Sequence, residues 1–455
     1  MGLFRRSFKL CLLLFGIGAL LSENLGAATA FPRPDSIPEG LGFNIHFSDP
    51  LPGEMKMLSE GGVRWVRADF LWPWIEKQPG KYDFSPHDRL LAALNAHGIR
   101  PIFILSYGHP FYDQGKPPYT EEGRRAFARW VAACLTHFRG KGVVWEMWNE
   151  PNIGIFWPPK PNVKDFILLA ETVGKTVREV APEEILIGPA LSKMDFKFLE
   201  ACFKAGLLEY WSAVSVHPYR RKDPETVSPD FEKLEELIAR YTPPGRQIPI
   251  VSGEWGYSTS WRGIDEKKQG KYLPRQWLIN LMHGIPLSIW YDWRCDGPDP
   301  KHDEQNYGSV SHPHHPDRDP LFDPRPAYKA AKTLTQNLSG FRFAKRLAVG
   351  GSDDYVLVFK KGEELRLAAW TRSQKTKKVV VPAGPDFFRA LGHTGEKEAG
   401  YRSTSQGLCL PLTDEPQYLT PSSSNALLEE AAAWTPAYEH RIRGRERECF
   451  PIPAT

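Results

Sequence analysis

From residue 41 the chain alternates two kinds of hydrophobic pattern. Short, nearly continuous apolar runs are each followed by a segment whose apolar residues recur every three or four positions. "RWVRADF" precedes "HDRLLAALNAHG", "RPIFILSYG" precedes "EEGRRAFARWVAACLTHFRG", and "VVWEMWNE" precedes "VKDFILLAETVGKTVREVAP". The first kind reads as strands buried on both faces, the second as amphipathic helices. With "LGFNIHF" before these and "ILIGPAL", "AVSVHPY", "IPIVSGEWGY" and "IPLSIWYDW" after them, eight units fall within about 300 residues. That repetition predicts an α/β fold, a (β/α)₈ barrel. An open doubly wound sheet shares the alternation, but no glycine-rich phosphate loop follows the first strand.

The pattern changes after Ser339. "YVLVFKKG", "LRLAAWTR", "KKVVVPA" and "GLCLPLTDEPQYLTP" are short β-rich runs separated by turn residues, with no helical period between them. The expectation is a catalytic barrel over residues 31–338 and a small antiparallel, sandwich-like β domain over 339–421. Residues 422–455 are serine-rich, then briefly helical, then basic, and read as a flexible or loosely docked tail with no assigned role.

At the N-terminus, Arg5, Arg6 and Lys9 lead into an apolar run from Leu10 to Leu21, and Ala28-Thr29-Ala30 follows as a small-x-small site. This pattern predicts a signal peptide over residues 1–30 and a secreted or periplasmic protein. The run is too short to span a bilayer, and no later segment is apolar for long enough, so no membrane association is expected after cleavage. Of 455 residues, 41% are hydrophobic and 25% charged, the balance of a globular protein. A net charge of +4, spread along the chain, gives no reason to expect a nucleic-acid partner. Cys134, Cys202, Cys295, Cys409 and Cys449 remain after cleavage; their odd number and wide spacing match no metal motif and leave pairing open. Fifteen Trp and sixteen Tyr suit a carbohydrate ligand, whose C–H faces stack on rings, and suit a core equally well.

The candidate chemistry lies at the ends of the strands, where a barrel carries its active site. His46 ends the first, Arg67 and Asp69 the second, and His109 follows the third. Asn149 and Glu150 end the fourth, His217 and Tyr219 the sixth, Glu254 and Trp255 the seventh, and Trp290 and Asp292 the eighth. Two carboxylates at the tips of apolar strands, one followed at once by Pro151, have no structural reason to be there. Glu146, one strand period before Trp148, is expected inside the barrel with a buried partner. The histidines of "SHPHHP", Ser311 to Pro316, are expected to form a loop rather than a metal site.

"WNEP" at the fourth strand and "SGEWGYST" at the seventh resemble the retaining glycoside hydrolases of clan A, barrels with both catalytic glutamates on those strands. "LWPWIEKQPGKYDF", and "NYGSV" followed by "DPRPAYKA", are similar to other segments of these enzymes, and the resemblance spans roughly residues 40 to 338. Within the clan, a barrel with a small β domain looks most like family 39, with family 5 next. The resemblance implies that Glu150 is the acid/base and Glu254 the nucleophile of a double displacement. It implies that Asn149 holds the sugar's 2-hydroxyl, Tyr219 hydrogen-bonds Glu254, Arg67 keeps Glu254 ionised, and Trp290 floors the sugar site. His46, His109, His217 and Trp255 are expected to line it. The expected protein is therefore a retaining glycoside hydrolase acting on an oligo- or polysaccharide without metal or cofactor; the alternative is a barrel that binds glycans without cleaving them. Sugar, linkage, exo or endo action and oligomeric state stay open.

Overall fold

Eight strands close into a parallel barrel, each paired with its neighbours in sequence and the last with the first. They are β1 (Leu41–Ile45), β2 (Trp65–Leu71), β3 (Arg100–Ser106), β4 (Val144–Met147), β5 (Ile185–Ser192), β6 (Ala213–His217), β7 (Ile250–Trp255) and β8 (Ser288–Trp290). Around them lie α1 (Glu54–Glu60), α2 (Ser85–Asn95), α3 (Glu121–Phe138), α4 (Val163–Val180), α5 (Phe196–Lys204), α6 (Ser228–Tyr241), α7 (Glu266–Met282) and α8 (Pro326–Asn337). The computed structural model describes residues 28–34 and 36–433. Most of the predicted signal segment and the basic end of the chain fall outside the described residues. Among the described residues, no helix is long and apolar enough to cross a membrane.

Side-chain caps start several helices where the loops end. Thr120 accepts the Gly123 amide, Asn162 those of Lys164 and Asp165, Asp195 that of Phe198, and Asp265 that of Lys268. Each cap satisfies an amide that the first turn leaves unpaired, and is worth about 1 kcal/mol.

Strand alternation divides the barrel interior into layers. At its base, Trp65, Ile102, Val144, Ile187, Ala213, Val251 and Ile289 form a closed apolar plug with Phe31. One pleat period further along, the inner face turns polar, with Arg67 on β2, Glu146 on β4 and Ser215 on β6. Gly253 on β7 completes this layer for a steric reason: a Cβ there would lie 2.4 Å from Ser215 Oγ and 2.9 Å from Glu146 Oε1. The apolar plug thus supports a buried polar platform, and the platform supports the strand tips.

The β domain follows α8 directly. Its six-stranded antiparallel sheet uses β9 (Arg342–Arg346), β10 (Asp354–Lys361), β11 (Glu364–Thr371), β13 (Phe387–Gly392), β14 (Glu398–Arg402) and β16 (Gln417–Pro421), in the order β9-β10-β11-β16-β13-β14. A two-stranded sheet pairs β12 (Lys377–Val381) with β15 (Leu408–Leu412). Alternation sorts the sheet's residues by face. Tyr355, Leu357, Phe359, Ala368, Trp370 and Tyr418 join the core of the barrel, whereas Val356, Val358, Leu367, Ala369 and Leu419 form a core of their own. At the junction the Trp370 indole donates to Glu225 Oε1 at 2.7 Å, and Arg275 clamps the same carboxylate with two bonds of 2.7 Å.

Two expectations change here. The start of the tail is not loose: α9 (Ala426–Ala432) buries Leu428 and Ala432 in the β-domain core, capped by Asn425, which also accepts the Gly384 amide. Apolar residues four apart on one helical turn give it a face to bury. The "SHPHHP" run is in part a strand, since Val310–His314 pairs with Phe322–Pro324 and His315 meets Asp323 at 3.1 Å.

Candidate active site

The site is organised around Arg67, which is 1% exposed. Its Nε donates to Glu146 Oε2 at 2.6 Å, Nη1 to Glu254 Oε2 at 2.6 Å and to Asn44 Oδ1 at 3.1 Å, and Nη2 to Asn149 Oδ1 at 2.7 Å. One planar guanidinium thus orients side chains from β1, β4 and β7 together, which a point-charge lysine could not do. Glu146 is the buried, paired carboxylate expected from its position. Its other oxygen accepts from Ser215 at 2.5 Å, and it has no exposed surface.

Glu254 reaches the site because β7 carries an irregularity. Ser252 is in register with Ser288, but Trp255 with Trp290, so β7 holds one more residue than β8 over that interval. A bulge of this kind reverses the alternation beyond it. Without it, Trp255 would follow Val251 and Gly253 onto the inner face. With it, Glu254 points inward and Trp255 turns out, fully buried, with its backbone oxygen accepting from Gln276 of α7. The substrate-contact role expected for Trp255 is therefore corrected to packing between barrel and helices.

Glu150 is positioned by the turn that ends β4. Trp148 and Glu150 take positive φ values of 67° and 45°, a conformation that costs of order 1–3 kcal/mol per non-glycine residue. The turn is tied to β5: the Glu150 amide donates to Ala190 O at 2.9 Å, and Asn152 and Ser192 exchange two bonds of 2.9 Å. His217, on the tip of β6, places Nδ1 3.0 Å from Glu150 Oε1 and 4.0 Å from Glu254 Oε2. An oxygen of Glu150 and an oxygen of Glu254 lie within 4.8 Å of each other.

The two carboxyls differ in what surrounds them. Burial pushes Glu150 up to about 7, opposed by the charge of Arg67 and a hydrogen bond with Ser192. Burial raises Glu254 too, but it has the stronger partners: Arg67 Nη1 at 2.6 Å and the Tyr219 hydroxyl, which donates to Oε1 at 2.8 Å. Burial holds the Tyr219 phenol well above its ordinary value, so it remains a donor. Burial also drives His217 down to about 4, so at neutral pH it adds no positive charge beside either glutamate. Arg67 is the cation that favours an ionised Glu254.

Other expected residues separate into two groups. His46 stands at the mouth, 3.9 Å from Asp69 and 3.7 Å from Asp292. Burial lowers its pKa, but Asp69, Asp292 and Asp296 outweigh that and raise it to about 9. His109 is engaged elsewhere: Nε2 lies 2.9 Å from Glu76 O, Nδ1 accepts the Phe111 amide at 3.1 Å, and Trp72 and Tyr112 flank the ring. With both nitrogens used, it buttresses the loop after β3 and does not line the sugar site.

Trp290 is likewise corrected. Ile289 belongs to the interior plug, so Trp290 faces outward and is fully buried. The next residue, Tyr291, is the one that faces the site, with its ring centroid 6.3 Å from Tyr219, 5.5 Å from His46 and 5.0 Å from Tyr307. Sequence reasoning missed Tyr291, Tyr307 and Tyr107, whose hydroxyl bonds the Asn149 amide. For Tyr291 the available signal was strand parity counted from Ile289.

No protein-family model matches the chain, and no curated protein matches it. Solved structures do. A family 39 glycoside hydrolase from the gut symbiont Bacteroides cellulosilyticus is similar at 24% identity, with a TM-score of 0.73 over 84% of this chain and 81% of that one. A monomeric β-xylosidase from Caulobacter crescentus is 17% identical, with a TM-score of 0.61 over 86% and 98% of the two chains. A family 30 endoxylanase from Clostridium papyrosolvens is 9% identical, with a TM-score of 0.60 over 88% and 98%. At these identities the likeness establishes the fold, a TIM barrel followed by a β domain.

Proposed function

We propose that this protein is a retaining glycoside hydrolase of the clan A type, most like family 39, that cleaves O-glycosidic bonds of an oligo- or polysaccharide. The observation that carries this reading is the separation of Glu150 and Glu254, with carboxylate oxygens within 4.8 Å. Retaining enzymes hold their two carboxyls about 5–5.5 Å apart, and inverting ones about 6.5–9.5 Å apart to admit a water. The surroundings divide the labour. Glu150, raised to about 7, retains a proton in about half of the molecules at neutral pH, while Glu254, which burial also raises, is the carboxyl whose charged form Arg67 and Tyr219 stabilise.

The reaction follows from that division. The Glu254 carboxylate attacks the anomeric carbon as the glycosidic C–O bond breaks, and Glu150 gives its proton to the departing oxygen. In the second step Glu150 takes a proton from water, whose oxygen attacks the anomeric carbon and releases Glu254. Asn149 is oriented for the 2-hydroxyl, because Arg67 holds its Oδ1 and leaves the amide nitrogen to donate. Tyr291 takes the wall position beside the reacting sugar. The N-terminal pattern of Arg5, Arg6, Lys9, the Leu10–Leu21 run and Ala28-Thr29-Ala30 supports action outside the cytoplasm.

The test is NMR of the first product formed from a panel of aryl glycosides. Retained anomeric configuration is expected. An inverted product would refute the double displacement, and absence of turnover across the panel would favour the glycan-binding alternative.

A further inference from the structure

One side of the barrel mouth carries large apolar side chains that the fold holds in water. Trp74 follows β2, Phe111 follows β3 and Ile155 follows β4, and they are 68%, 49% and 76% exposed. Their neighbours are fixed. Trp72 is fully buried, stacks on Tyr112 with ring centroids 5.1 Å apart, and donates its indole N–H to Glu76 Oε2 at 2.5 Å. The Tyr112 hydroxyl donates to Glu76 Oε1 at 3.0 Å, and His109 Nε2 lies 2.9 Å from Glu76 O. Trp74 therefore stands between two anchored residues of one loop, and Phe111 between two of the next. Ile155 adjoins Phe156, whose ring stacks on Tyr107 at 5.6 Å and whose carbonyl accepts the Trp148 indole N–H at 3.0 Å. Tyr107 in turn bonds the Asn149 amide, so the strip begins beside Glu150. Apolar side chains kept in water are unfavourable, and their gathering in one place marks a binding surface.

We propose that this strip binds the leaving-group side of an extended glycan, a run of sugar rings past the scissile bond. The inference rests on the glycosidase reading and names the substrates that site takes. Sugar rings present C–H faces that stack on aromatic side chains, and a chain held at the catalytic pair reaches the strip by way of Tyr107 and Phe156. The side follows from the acid. Glu150 gives its proton to the departing oxygen, and Ile155 and Phe156 belong to the same loop as Glu150, whereas Glu254 stands on β7. The loops after β2 and β3 are clasped together through Glu76, so Trp74 and Phe111 are preorganised and lose little freedom when a ligand covers them. A small phenol as leaving group would leave most of this surface in water, whereas a chain of sugars covers it.

The test measures binding and turnover separately, on the full-length protein. The slow variant Glu150→Gln is titrated calorimetrically with xylo-, cello- and manno-oligosaccharides from the disaccharide to the hexasaccharide. In at least one series the affinity should rise about tenfold or more with chain length, and adding Trp74→Ala with Phe111→Ala should remove that rise. In the wild-type background the same pair of substitutions should lower kcat/KM on the hexasaccharide about tenfold or more beyond any loss on the matching nitrophenyl monosaccharide. If that pair fails to fold, Ile155→Ser decides alone. No binding in any series, a rise that survives the substitutions, or an equal loss on both substrates would each overturn the proposal. So would an equal extra loss on a nitrophenyl trisaccharide, which is extended only away from its leaving group. The two readings fail differently. Turnover without length dependence sinks this inference and leaves the hydrolase standing. Length-dependent binding that the substitutions remove, with no turnover by the wild type, sinks the hydrolase and keeps the strip as a glycan surface.

Discussion

Replacing Glu150 with glutamine should cost the protein its activity on natural glycosides and make it more stable, with a gain that grows with pH. Burial pushes the folded-state carboxyl from its ordinary 4.5 up to about 7. Below pH 4.5 the group is neutral in the folded and the unfolded chain, and its contribution is fully present. As the pH rises, the unfolded chain releases the proton first, and that stability is lost progressively until the folded carboxyl also ionises near 7. A gap from 4.5 to about 7, at about 1.36 kcal/mol per pH unit, corresponds to about 3 kcal/mol. Glutamine has the shape of the protonated acid and does not ionise, so it avoids that loss. The assay is denaturant unfolding of the wild type and Glu150→Gln at pH 4.5 and pH 8. Comparing the two differences cancels the other titrating groups. An advantage for the variant that is small at pH 4.5 and reaches roughly 3 kcal/mol at pH 8 is expected. If the gap between the two proteins does not widen with pH, Glu150 is not held protonated by burial, and its role as the acid loses its physical basis. The catalytic counterpart is an alkaline limb near pH 7 in the wild-type rate profile, falling tenfold per pH unit, which the variant should lack.

Three further outcomes follow from the same geometry. Glu254→Ala should abolish turnover of every glycoside, whereas Glu150→Ala should still react with a dinitrophenyl glycoside and be accelerated by azide to give a glycosyl azide of retained configuration, read by NMR; the opposite pattern would exchange the two roles. Arg67→Met leaves the buried Glu146 and Glu254 without their shared cation, so stability should drop by about 3–5 kcal/mol in denaturant unfolding. The acid limb of any remaining activity should also move to higher pH, and an unmoved limb would show that Arg67 does not set the charge of Glu254. Trp370→Ala removes a fully buried ring stacked on Tyr355 and the indole bond to Glu225; it should cost about 3–5 kcal/mol of stability and leave kcat/KM at 25 °C unchanged, while an equal loss of activity would give the β domain a part in the chemistry.

The sequence alone determined the class of fold and the two residues on which the proposed chemistry rests. Alternating strand and helix periods do not depend on partners, so the eightfold repeat was legible. An acid at the end of an apolar run is conspicuous because nothing in the local packing asks for it. Glu146 was read correctly for the same reason: an ionisable residue inside a strand needs a partner, and Arg67 is that partner. Tertiary structure alone decided which way the residues beside these motifs face. Trp255 and Trp290 stand at strand ends as expected, yet both are turned outward, one by the irregular pairing of β7 with β8 and the other by the pleat that puts Ile289 inside. A shift of one residue exchanges the two faces of a strand, and that shift is set by pairing with a strand elsewhere in the chain. His109 was taken up by Glu76, thirty-three residues before it, and Leu428 by a sheet formed earlier in the chain. The resemblance already implied which of the two chemically identical glutamates is the acid, but the physical basis of that proposed division lay beyond the sequence. A carboxyl's affinity for its proton depends on burial and on which cation lies within a few ångströms, and the folded chain supplies both.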